Sequence, residues 1–165
     1  MAAAASRARH DGSVWPASSN HRPSVTPYAE VLVVEDDPLD LALTLRALRA
    51  SHVEHIAVAH DGAEALEYLA SDAASGRGPR LVLLDLDLPR VAGLEVLRRM
   101  RQDDRMRAIP VVVLSSSHDE LDRARSYEIG ANAFVSKPVD YRDLVRAARE
   151  LGRSWLGHRN SSPPR

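Results

Sequence analysis

The chain has 165 residues, of which 44% are apolar, and a formal net charge of -1. That length fits one domain with tails, and a near-neutral charge gives no reason to expect nucleic acid or an anionic membrane as partner. No apolar stretch approaches the roughly 18 residues of a membrane-spanning helix, and zero cysteines exclude disulfides and thiolate metal sites, which suits a reducing cytoplasm.

Residues 1–29 are rich in Ala, Ser, Arg and Pro, with Pro16, Pro23 and Pro27 interrupting any period. Such a segment buries too little surface to offset its ordering entropy, so a disordered extension is expected. A start codon assigned too far upstream would look the same. Ala2–Ala5 is too short and too weakly apolar for a signal-peptide core, and an amphipathic transit-peptide period is missing.

From Val31 the chain alternates strand and helix. Val31–Val34 reads as strand one. Asp37-Pro38 opens helix one, because Asp caps free amides and Pro suits a first turn. Leu41, Leu45 and Leu48 follow at helical spacing. His55–Ala59 is expected as strand two and Asp61–Leu69 as helix two, with Ala65, Leu66 and Leu69 inward. Ser71–Arg80, holding Gly76, Gly78 and Pro79, reads as loop. Leu81–Leu84 is strand three. Gly93–Arg101 is helix three, with Leu94, Leu97 and Met100 as its stripe and Val96 on the flank. Pro110–Leu114 is strand four, with Ser116 and Ser117 as loop and cap residues before a sparsely apolar helix four near Asp119–Ile129. Ala133–Ser136 is strand five. Tyr141–Trp155, with Leu144, Val145, Ala148 and Leu151 at core spacing, is helix five. Residues 30–156 thus form one α/β domain with a doubly wound five-stranded parallel sheet, and 157–165 a polar tail.

Strands of a parallel sheet read as continuous apolar runs because both faces are buried. Four such runs end in reactive groups: Glu35 and Asp36, Asp85, Ser115, and Lys137 before Pro138. Ligands of open α/β sheets bind beyond the carboxyl ends of the strands, so these groups should share one crevice. Glu35-Asp36-Asp37 alone would be a solvated turn with a helix cap. An acid directly after Leu81–Leu84 is hard to place anywhere but a strand end, and the two together point to a site. Close carboxylates repel, and Mg2+, with its oxygen ligands, compensates them. Asp85 can then serve as nucleophile in forming an aspartyl-phosphate, with Lys137 as the cation meeting the phosphoryl group and Ser115 bonding one of its oxygens. Asp37 stays a cap, and Pro138 fixes the turn after Lys137.

Val-Glu-Asp at 34–36, Leu-Asp-Leu-Asp-Leu-Pro at 84–89, Gly93, Ser115 and Lys137-Pro138, in this order, resemble the receiver domain of two-component response regulators. The resemblance implies a flavodoxin-like sheet in the order 2-1-3-4-5. It implies that Asp85 takes a phosphoryl group from a phosphohistidine of a sensor histidine kinase. Asp36, Asp85 and the backbone carbonyl of Asp87 would ligate Mg2+, and Glu35 would act through a metal-bound water. Ser115 and Phe134 occupy the hydroxyl and aromatic switch positions. Ser in place of the commoner Thr, Glu-Asp in place of Asp-Asp, and Phe as switch aromatic depart from the usual pattern, and Phe leaves the coupling to packing alone.

No helix-turn-helix or output domain is read after helix five, so a stand-alone regulator is expected. The acidic starts of strand one and helix one, Ser115-Ser116-Ser117 and Gly-Arg-Ser-Trp-Leu at 152–156 resemble regulators serving bacteriophytochrome-type kinases. Three functions are open: a phosphorylation-switched binding protein, a phosphorelay intermediate or phosphate sink, and, more remotely, a metal-dependent phosphatase using Asp87 as acid. The first is the expectation, acting through protein contacts at helix four, strand five and helix five. A symmetric homodimer through Trp155-Leu156, Phe134, Val139 and Tyr141 would be its self-association form.

Overall fold

Three of the apolar runs, Val31–Val34 (β1), Leu81–Leu84 (β3) and Val111–Ser115 (β4), are buried along their whole length. They form the middle of a five-stranded parallel sheet in the order β2-β1-β3-β4-β5, where β2 is Ile56–Ala59 and β5 is Ala133–Ser136. The two outer strands are only partly buried, which is why their sequences carry fewer large apolar residues. The helices are α1 (Pro38–Ala50), α2 (Gly62–Ser75), α3 (Gly93–Gln102) and α4 (Glu120–Ile129). This computed structural model describes residues 29–76, 78–116, 118–137 and 142. Pro138, the expected helix five apart from Arg142, Trp155 and the expected N-terminal extension up to residue 28 lie outside the described residues.

Successive strand residues face opposite sides, so each central strand feeds two cores. Leu32, Val34, Val82, Leu84 and Val111 pack with Ala65, Leu69, Val96, Leu97 and Met100 of α2 and α3. Val31, Val33, Leu81, Leu83, Val112 and Leu114 pack with Ala47 and Leu48 of α1 and with Val53. Full burial of each such side chain is worth roughly 1.5–3 kcal/mol, and the alternation fixes the sheet's register, since a one-residue slip would exchange the two faces.

Several boundaries differ from those the sequence suggests. α2 continues through Ser71 to Ser75, because the Ala- and Ser-rich stretch has no breaker until Gly76, which ends it at φ 69°. Gly76, Gly78 and Pro79 break the chain only from Gly76 onward and leave the residues before them free to stay helical. Ser115 is the last residue of β4, whereas Pro110 precedes the strand, its ring leaving no N–H for a ladder. His55 likewise stands just before β2. α4 is capped by Asp119, which accepts from Leu121 N at 2.9 Å, rather than by Ser116; Ser117 lies outside the described residues. Val96 is fully buried rather than flanking, while Leu94 is only half-buried. α4 is sparsely packed as expected: Leu121 and Tyr127 are exposed and Ser126 is its buried residue.

At the end of the sheet opposite the reactive groups, the half-buried Arg101 of α3 binds four carbonyl-type oxygens. Nε donates to Gly130 O at 2.9 Å, Nη1 to Ile109 O at 3.1 Å and Arg107 O at 3.2 Å, and Nη2 to Asn132 Oδ1 at 3.1 Å. Asn132 Oδ1 also accepts from Val111 N at 2.8 Å. One planar guanidinium thereby ties the entrances of β4 and β5 to α3.

Candidate metal and phosphoryl site

The parallel register brings the strand ends level. Val34 pairs with both Ala59 and Leu84, so Glu35 and Asp85 emerge side by side, with Asp85 N donating to Val34 O at 3.1 Å. On the other flank Ser115 pairs with Ser136, and Lys137 N donates to Ser115 O at 2.8 Å. Ser115, Lys137, Glu35 and Asp85 thus stand at the carboxyl ends of four strands, as the sequence suggests.

Lys137 crosses the crevice to the acids. Its Nζ donates to Glu35 Oε2 at 2.6 Å, Asp40 Oδ2 at 2.8 Å and Asp85 Oδ2 at 3.1 Å, which engages all three donors of an ammonium. The other oxygen of Asp85 is held by main-chain amides, accepting from Leu86 N at 2.7 Å and Asp87 N at 3.3 Å. Its carboxylate is therefore oriented from both sides. Glu35 Oε1 accepts from Asp37 N at 3.1 Å. Burial and the nearby Asp85 charge push the Glu35 carboxyl up to about 7, against the opposing hydrogen bond from Lys137. Burial alone would depress the Lys137 ammonium; hydrogen bonds to Asp40 and Glu35, together with the Asp85 charge, outweigh it and hold the group above its ordinary value.

Asp36 is exposed, and one oxygen each of Glu35, Asp36 and Asp85 lies within 4.8 Å of the others. This all-oxygen, all-carboxylate set fits a hard divalent cation such as Mg2+, which takes carboxylates and keeps waters. Two acids of the set are buried beside each other, so a cation relieves a repulsion that a single ammonium compensates only in part. Asp87 is exposed, and its amide is the group placed on Asp85. Ser115 is fully buried at the end of β4. Phe134 is buried against Leu86 and Val113, with Leu94 and Ala131 beside them, and its N–H donates to the Tyr127 hydroxyl at 3.2 Å. Asp37 is the α1 cap, accepting from Leu39 N and Asp40 N at 2.9 Å.

Sequence reasoning missed Asp40. It lies in the first turn of α1 and faces the crevice, a placement that follows from the helix phase once Asp37 is fixed as cap. A second signal was also open: among 22 basic side chains, Lys137 is the only lysine.

Residues 31–149 match the response regulator receiver domain family. The probable methanogenesis regulatory protein FilR2 of Methanothrix harundinacea is 41% identical over 136 residues, 81% of this chain and 88% of FilR2. The phosphorylated cyanobacterial phytochrome response regulator RcpA superposes with a TM-score of 0.71 at 34% identity, covering 84% of this chain and 99% of RcpA. The bacteriophytochrome response regulator AtBRR is 49% identical, with a TM-score of 0.61 and coverage of 74% and 91%. The Mn2+-bound form of the response regulator Rcp1 gives 0.69 at 33% identity, covering 82% and 98%. With its 2-1-3-4-5 sheet and the acidic pocket at the strand ends, this chain belongs to the response regulator receiver domains of two-component signalling.

Proposed function

We propose that this protein is a phosphorylation-switched regulator in which Asp85 accepts a phosphoryl group from a phosphohistidine of a sensor histidine kinase. One observation carries the reading: Lys137 Nζ joins Glu35 to Asp85 beside the Glu35–Asp36–Asp85 trio. An oxygen of the Asp85 carboxylate attacks phosphorus, the P–N bond breaks, and the imidazole nitrogen keeps the electron pair. Backbone amides of Leu86 and Asp87 hold one Asp85 oxygen, leaving the other, at the ammonium, to react. Lys137 meets the negative charge of the transferring oxygens, and the Ser115 hydroxyl bonds one of them. Bound Mg2+, held by Asp36, Asp85 and the Asp87 carbonyl with Glu35 acting through water, would neutralise charge on the phosphoryl oxygens. Pro138 would fix the turn that presents Lys137.

Similarity to RcpA and AtBRR supports a phytochrome-type kinase as the donor, and a cysteine-free chain suits the cytoplasm as the setting. Output would run through protein contacts, with the Ser115–Phe134 pair reporting on Asp85 by packing, and a homodimer is one such contact. Sedimentation with and without a phosphoryl mimic tests the dimer.

The decisive experiment is labelling with a small phosphodonor and Mg2+. One acid-stable, hydroxylamine-labile phosphoryl group is expected on the native protein and none on Asp85→Asn. Equal labelling of that variant would refute the assignment.

A further inference from the structure

Two trios of carboxylates overlap at the crevice. Glu35, Asp36 and Asp85 surround the cation position, whereas Glu35, Asp40 and Asp85 surround the Lys137 ammonium. Glu35 and Asp85 belong to both. A cation at the first trio therefore competes for two of the three lysine acceptors and leaves Asp40 untouched. Asp40 is itself firmly placed, because its amide is held by the Asp37 carboxylate at 2.9 Å in the first turn of α1. Lys137 is a point charge on a flexible four-carbon stem, and ordering such a stem costs rotamer entropy. A fixed anchor outside the metal set removes that cost from the reacting state.

We propose that Asp40 is a positioning residue for Lys137, holding the ammonium over Asp85 whether or not the cation is present, so that the donor now on Asp85 stays aimed at the incoming phosphoryl oxygens. The role rests on Asp85 being the phosphoacceptor. It differs from that of a first-turn acid acting only on the helix dipole, which would need no partner at the carboxyl end of β5.

The single lysine makes the test direct, since selectively labelled lysine gives one side-chain resonance. In chelator, Asp40→Asn should exchange its Lys137 ammonium protons about fivefold faster than the native protein, as expected for loss of one partly exposed charge-assisted hydrogen bond. In saturating Mg2+ the same variant should bind beryllofluoride roughly fivefold more weakly while its Mg2+ affinity stays within about twofold. Asp40→Glu should recover part of the loss. Asp37→Asn keeps a capping oxygen for the Leu39 and Asp40 amides and removes only a neighbouring negative charge, so it should leave Lys137 exchange unchanged. The same acceleration there would mean that loss of nearby charge, not of the Asp40 bond, frees the ammonium, and would overturn the proposal. Unchanged exchange in Asp40→Asn would overturn it as well, and tighter beryllofluoride binding would mean that Asp40 competes with the phosphoryl group. If the native protein bound no beryllofluoride, the phosphoacceptor reading would fall, and the exchange rates would still decide the anchor.

Discussion

The α-carbon of Gly93 lies so close to the Asp85 main chain that a Cβ built on it would sit 2.1 Å from the Asp85 carbonyl oxygen and 2.7 Å from Leu86 Cα. Gly93 N also donates to Leu86 O at 3.0 Å, so the start of α3 is pinned to the end of β3. The opposing atoms are backbone and cannot swing away. Gly93→Ala is expected to cost about 2–3 kcal/mol, the scale of an overpacked core, and to weaken Mg2+ binding by displacing Asp85. Urea denaturation and calorimetric titration measure the two effects, and an alanine variant with native values for both would contradict the packing argument.

Replacing Lys137 by Met leaves Glu35 and Asp85 buried beside each other without a counter-ion. In chelator the variant should lose about 3 kcal/mol, in the range for removing one member of a buried pair. Adding Mg2+ should restore much of it, and Mg2+ should bind more tightly than to the native protein because the ammonium no longer repels it. Denaturation curves with and without Mg2+ check both statements.

The Glu35 carboxyl gives a signed pH dependence. Its folded value, about 7, stands above the ordinary 4.5, so the folded state prefers the protonated form. This contribution to stability is fully present below pH 4.5 and is lost as the pH rises through about 7. At roughly 1.4 kcal/mol per pH unit it amounts to at most about 3–4 kcal/mol. Native protein in chelator should therefore fall in stability between pH 4.5 and 7 more than Glu35→Gln does. Identical slopes for the two proteins would refute the raised value.

Asp36 and Asp37 are adjacent and should separate cleanly. Asp37 caps α1 through two amide bonds, so Asp37→Ala should cost about 1 kcal/mol with little change in Mg2+ affinity. Asp36 is exposed and belongs to the carboxylate trio, so Asp36→Ala should lose Mg2+ binding at little cost in stability. Metal titration beside thermal melting of both variants decides it.

Much of this arrangement was legible in the sequence because burial on both faces writes a strand as an uninterrupted apolar run. Val31–Val34, Leu81–Leu84 and the Val111–Leu114 stretch each announce their own carboxyl end, and Glu35, Asp85 and Ser115 sit at or just after those ends. The sheet order rested on resemblance to a family and is the order observed. What stayed hidden depended on register and helix phase. Asp40 meets Lys137 across 97 residues of sequence, and no local pattern couples them. The end of α2 was misplaced because Ser71–Ser75 has no strong apolar period, and its helicity comes from Ala and from the absence of a breaker. Val96 looked peripheral because the Leu94–Leu97–Met100 spacing fixes a stripe but not its centre.

The guanidinium of Arg101 gives the β4–β5 half of the sheet an asymmetric stiffness. Gly130, Ile109 and Asn132 are fastened to one group that stays charged at every pH the protein meets, while Ser115 and Ser136 stand at the opposite ends of the two strands, far from that brace. Motion that begins at Asp85 and reaches this half must then take the form of a swing about a fixed root, with amplitude growing toward Ser115, Ser136 and Lys137. The same root holds α3 and, through Gly130, the C-terminal end of α4, so such a change would be delivered to the carboxyl end of β5 and the N-terminal end of α4 rather than spread through the α2–α3 face.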